Sequence, residues 1–137
     1  MPEPQLAERG LLDTSVIISL EDVDAAALPV TIAVSAISMA ELAAGTHATN
    51  DDRERALRQD RLQRAEAPFD PLPFDGEAAR AYGRVFSAVT ATGRKARGVR
   101  TVDLLVAGAA LSAGLPLYTR NGDDFQGLED LVHVVAV

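Results

Sequence analysis

Cysteine and tryptophan are absent from this 137-residue chain, which has only two histidines and one lysine, Lys95. Without cysteine there can be no disulfide framework, thiolate metal site or cysteine nucleophile, and the chain is read as a cytoplasmic one. His47 and His133 stand alone, outside any metal-ligand spacing. No apolar run approaches the roughly 18 residues that cross a bilayer, so no membrane association is expected. The opening MPEPQLAERG carries acids where a signal peptide needs a basic segment and then an apolar one. Aromatic residues make up 4% of the chain, too few for extensive stacking on bases. Positive charge is also short: 13 bases against 20 acids give a net charge of −7. That argues against gripping a polyanion through the global field, and leaves room for local basic patches and for acids that serve a cation.

What the chain does have is 47% hydrophobic residues in alternating patterns, enough for one domain spanning 1–137 with a frayed segment at 1–9. GLLDTSVIISLE reads as a short strand, Gly10 to Leu12, running into the helix-capping types Asp13, Thr14 and Ser15. A β-branched run, Val30 to Val34, precedes Ser35 or Ser38 as cap and a helix that Gly45 would end. Residues 50–67 read as an exposed, charge-rich helix with Leu57 and Leu62 on a narrow buried stripe. Asp75 would cap a helix from Gly76 to Thr92 that buries Ala78, Ala81, Tyr82, Val85, Phe86 and Val89. After the basic loop TGRKARGVRT come an apolar helix, Val102 to Ala113, a strand, Leu115 to Tyr118, and a final strand in LVHVVAV. Strands alternating with helices imply an α/β fold: a central, mainly parallel sheet flanked by helices in three layers.

Acids recur at one kind of position. Asp13 follows the first strand, Glu41 lies on the helix after the second, Asp103 opens the apolar helix, and Asp123 and Asp124 follow a later strand. In a parallel sheet these junctions open on one edge, where α/β ligand sites form. Carboxylates that converge repel one another unless a cation intervenes, and an all-oxygen set favours Mg²⁺ or Mn²⁺. Asp13 serves equally well as a helix cap. Glu41 is a lone acid in the nearly apolar AISMAELAAG. Asp103, in VDLLVAGAAL, could answer the helix dipole, but a buried ionised group there needs a partner. Asp123 and Asp124 also suit a turn.

Taken together, LLDTSVIISL, SMAELAAG, TVDLLVAGAA and YTRNGDDF resemble a PIN domain, more narrowly a VapC-type toxin of a toxin–antitoxin pair, in order and over essentially the whole chain. The resemblance implies a Mg²⁺- or Mn²⁺-dependent endoribonuclease whose metal ligands carry over to Asp13, Glu41 and Asp103. Some members place a further acid where this chain has Asn121; Asp124 is then the choice for the fourth carboxylate, with Asn121 and Asp123 as neighbours. Ser15 and Thr119 are hydroxyls suited to orienting such a site. The resemblance further implies a cognate antitoxin held in a groove of the early helices, with Leu20, Leu42, Leu57 and Leu62 as contributors, and a homodimer.

A metal ion among these acids can acidify a water for attack on a phosphodiester and offset phosphoryl charge. Arg94, Lys95, Arg97 and Arg100, just before Asp103, and Arg120 in the last acidic loop are the candidate RNA-binding groups. Other readings compete. A receiver-like phospho-Asp signalling domain wants an early acidic pair and a late lysine, yet Lys95 precedes Asp103. An Asp-nucleophile phosphatase wants a second Asp where Ser15 stands. A PIN fold that only binds RNA or a partner remains an alternative.

Overall fold

A computed structural model describes residues 8–66, 71–93 and 99–137, the side chains of 99 and 100 excepted. Its strands are β1 (Arg9–Leu12), β2 (Thr31–Val34), β3 (Leu117–Thr119) and β4 (Val134–Ala136). Its helices are α1 (Thr14–Ile18), α2 (Ala36–Thr46), α3 (Asp52–Glu66), α4 (Gly76–Ala91) and α5 (Val99–Ala113). The strands form one parallel sheet in the order β2-β1-β3-β4.

Successive strand residues point to opposite faces, and here both faces are apolar. Leu11, Ala33 and Leu117 pack with Val85 and Val89 of α4 and Leu104, Ala107 and Ala110 of α5. Their neighbours Leu12, Val34 and Tyr118 pack the other way, with Val16 of α1, Leu42 of α2 and Leu62 and Ala65 of α3. The expected three layers are therefore present. Burial of each large aliphatic side chain stabilises by roughly 1.5–3 kcal/mol. α4 and α5 approach closely because Gly108 faces the backbone of Tyr82, where an added Cβ would stand 3.0 Å from the Tyr82 Cα.

Several boundaries differ from the sequence expectation. Arg9 already belongs to β1 rather than to a frayed segment; residues 1–7 lie outside the described ones. Val30 is 75% exposed and stays out of β2. Gly45 does not end α2, which continues to Thr46 and is capped at His47. Leu57 is 51% exposed, so Leu62 and Ala65 alone form the buried stripe of α3. Phe86 is 40% exposed, its ring tilted against Tyr82 rather than buried under α4.

α5 begins at Val99, three residues before the expected start, and this moves Asp103 out of the first turn. The helix closes as expected on Gly114, at φ +67°. The Leu115 N–H donates to Ala110 O and the Gly114 N–H to Leu111 O, a Schellman closure. With Leu115 committed there and Pro116 lacking an N–H, β3 starts only at Leu117. β4 is likewise short, because the Leu131 and Val132 N–H groups both turn back to Leu128 O.

Candidate active site

β1 is the switch point of the sheet: the chain leaves it for β2 on one side and later returns to β3 on the other. Crevices that hold ligands in open α/β sheets lie beyond the carboxyl end of such a strand, and Asp13 stands there. Its N–H donates to Tyr118 O at 2.9 Å, extending the β1–β3 ladder by one rung. Its side chain, in a residue only 4% exposed, accepts from the Val16 N–H at 3.1 Å and from Ser15 Oγ at 2.5 Å, capping α1. Ser15 Oγ in turn accepts the Arg120 N–H at 3.1 Å, tying α1 to the loop after β3. The fully buried Thr119 accepts the Asn121 N–H at 3.0 Å, fixing the first bend of that loop. Ser15 and Thr119, named from the sequence as hydroxyls that would orient a site, thus each make a hydrogen bond to the loop after β3. Burial also pushes the Tyr118 phenol above its ordinary pKa.

Glu41 and Asp103 reach the edge from two helices. α2 starts directly after β2 under the Ser35 cap, whose Oγ accepts from the N–H groups of Ile37 and Ser38. α5 ends beside the start of β3 and so runs antiparallel to the strands, with its N-terminus at their carboxyl edge. Glu41 and Asp103 each lie in the second turn, roughly 6–8 Å along the helix from that edge. α2 packs against both α1 and α5, and α5 also packs against the turn at 122–125. Both acids are partly buried. Glu41 Oε1 accepts a short hydrogen bond from Thr14 Oγ1, which links it to the residue next to Asp13. Asp103 carries interactions of its own.

In the loop after β3, Asn121 precedes a 3-10 turn, Gly122–Phe125, and its carbonyl accepts the Asp124 N–H at 3.0 Å. Phe125 anchors this turn in the core at 3% exposure. Asp124 is partly buried, whereas Asn121, Asp123 and Arg120 are exposed. Arg94, Lys95 and Arg97 lie outside the described residues, and so does the side chain of Arg100.

Carboxylates with hydroxyls around them suit a hard divalent cation. Spacing is less complete than donor chemistry: among the described residues, no three His, Asp or Glu side chains form a group that could hold a metal ion. The elements bring the acids to one edge, and a shared ion would require their side chains to draw together.

Two hydroxyls here escape sequence reasoning. Thr14 and Ser38 read as ordinary capping types, yet Ser38 is fully buried and lies 3.0 Å from Thr14, oxygen to oxygen. Between α1 and α3, a groove of about 540 Å³ is lined by Ile17, Ile18, Leu20, Leu57, Arg61 and Arg64. Leu20 and Leu57, two of the four leucines named from the sequence, line this groove, whereas Leu42 and Leu62 are buried core residues and do not.

The PIN domain family model matches residues 10–131. Ribonuclease VapC5 of Mycobacterium tuberculosis (strain ATCC 25618 / H37Rv) is 36% identical over 128 residues, covering 91% of each chain. The crystal structure of VapBC-5 from Mycobacterium tuberculosis, a member of the VapBC family of toxin–antitoxin systems, superposes with a TM-score of 0.84 at 35% identity. That match covers 95% of this chain and 99% of the other. FitAcB from Neisseria gonorrhoeae shares the fold at a TM-score of 0.66 and 24% identity, over 90% of this chain and 94% of that one. With most of its length matched by the family model and a close ribonuclease relative over the same span, the chain belongs to the PIN domain family, among the VapC-type ribonucleases.

Proposed function

We propose that this chain is the toxin of a toxin–antitoxin pair, an endoribonuclease that hydrolyses RNA phosphodiester bonds with Mg²⁺ or Mn²⁺. The observation that carries this reading is the hydrogen-bonded carboxylate edge at the switch point, with Asp13 capping α1 and Glu41 joined to that helix through Thr14. Its VapC5 relative, named a ribonuclease, supports the activity, and the VapBC-5 structure supports an antitoxin partner.

Asp13, Glu41 and Asp103 are the residues that would hold the cation, with Asp124 as the fourth carboxylate and Asn121 and Asp123 beside it. When bound, the cation supplies an acidified water and neutralises charge on the phosphoryl oxygens. Ser15 and Thr119 keep the loop after β3 in place, so that the acids from α1 and that loop flank the same scissile phosphate. Arg120, exposed at the end of β3, offers a guanidinium to a neighbouring phosphate, as would Arg94, Lys95, Arg97 and Arg100. In-line attack by water leaves a 5′-phosphate and a 3′-hydroxyl and does not need the 2′-hydroxyl. No helix among the described residues is long and apolar enough to cross a membrane, and we place the activity in the cytoplasm. The antitoxin would lay an apolar segment in the groove beside Leu20 and Leu57, and the toxin would pair as a homodimer within that complex.

The test is cleavage of a panel of structured RNAs with added Mg²⁺ or Mn²⁺, with EDTA, and with Asp103→Asn. Cutting is expected only by the wild-type chain with metal. Cutting that survives both EDTA and Asp103→Asn would overturn the metal mechanism. A wild-type chain that binds RNA but cuts nothing would favour the binding-only alternative.

A further inference from the structure

We propose that Thr14 is a positioning residue for Glu41, backed by the fully buried Ser38, so that two hydroxyls set the direction in which the helical carboxylate faces. The proposal deepens the reading above and rests on Glu41 being a metal ligand.

The argument starts from hydrogen counting. Thr14 Oγ1 lies within hydrogen-bond reach of both Glu41 Oε1 and Ser38 Oγ. A hydroxyl carries a single hydrogen and two lone pairs, while a carboxylate only accepts. Thr14 therefore donates to Glu41 and accepts from Ser38. Ser38 is fully buried, and its own backbone N–H is already given to Ser35 Oγ. Its hydroxyl is left to serve Thr14.

The result is a one-way relay, Ser38 to Thr14 to Glu41, in which each bond polarises the next. It also crosses elements: Thr14 opens α1 directly after Asp13, whereas Ser38 and Glu41 are three residues apart on α2. Glu41 alone would have the rotamer freedom of a long side chain. Held by Thr14, one of its oxygens is engaged by the residue that directly follows Asp13. Groups that orient a ligand in this way typically matter by 10- to 100-fold in metal affinity.

The experiment is a calorimetric titration of Mn²⁺ into the wild-type chain and into Thr14→Val, Thr14→Ser and Ser38→Ala, with thermal unfolding of each in EDTA. Valine keeps the shape of threonine and removes the hydroxyl. Thr14→Val is expected to weaken Mn²⁺ binding by about 10-fold or more. Thr14→Ser should restore affinity to within about 3-fold of wild type, and Ser38→Ala should fall between them. In RNA cleavage, the Thr14→Val loss should shrink as Mn²⁺ is raised, a dependence that mere loss of fold would not produce. Wild-type affinity in Thr14→Val overturns the role of Thr14 alone. A wild-type chain that binds no Mn²⁺ overturns the metal site and this proposal together. Should Thr14→Val fail to unfold cooperatively in EDTA, Ser38→Ala carries the test, and wild-type affinity in that variant overturns the relay.

Discussion

Asp13 performs two tasks with one side chain. It caps α1 through the Val16 N–H, and it presents charge at the carboxyl end of the central strand. The two tasks separate by substitution, because asparagine caps a helix about as well as aspartate and alanine does not. Asp13→Asn is expected to stay within a few tenths of a kcal/mol of wild-type stability while losing RNA cleavage. Asp13→Ala should lose cleavage and also about 1 kcal/mol of stability, measured by urea unfolding. At this scale the sequence was informative wherever a residue type was out of place. A lone Glu41 among small and apolar neighbours and an Asp103 in an apolar run announce themselves. Thr14 and Ser38 do not, because hydroxyl residues are common at helix starts, and only the meeting of α1 with α2 shows what they touch.

At the scale of elements, α3 shows what the arginine-rich stretch is for. Arg58 donates to Gly45 O at 2.7 Å, and Arg55 donates to Thr46 O and Thr49 O at 3.3 and 2.8 Å. These carbonyls close the end of α2 or follow it, where a helix leaves acceptors unsatisfied and favours a cation. The same Arg58 bonds Glu54 at 3.0 Å, one turn away on α3. Arg58→Ala is expected to cost about 1 kcal/mol, chiefly through the lost carbonyl contact. Chemical denaturation checks this, and Glu54→Ala should cost clearly less. The mixed charge of α3 was legible as a surface helix, but its attachment to α2 was not, since nothing local marks which carbonyls a guanidinium will reach. The start of α5 was misplaced for a related reason. Gly98 and the basic residues around it read as loop, while the helix extends back to Val99.

At the scale of the whole molecule, the alternation of strands and helices was enough to read the three layers and the parallel sheet. The strand order was not readable, since strands as short as β3 and β4, three residues each, carry little pattern of their own. The sheet gathers acids from residues 13 to 124 on one edge without bringing three, among the described residues, into one coordination group. Binding of a cation would stabilise the folded state by mass action. Mn²⁺ at a hundred times its Kd should raise the unfolding free energy by about 2.7 kcal/mol. The measurement is thermal unfolding with and without the ion, and Asp103→Asn should show little of the gain.

The strand order has a temporal consequence during synthesis. Chains are made from the N-terminal end, at roughly 5–20 residues per second. β1 and β2 can pair early, but β1 acquires its second neighbour only when Leu117–Thr119 has emerged, after all five helices. Until then Asp13 lacks its rung to Tyr118 O, and Ser15 lacks the Arg120 N–H. A nascent chain still threaded in the ribosome therefore carries its early acids without the loop that completes their edge.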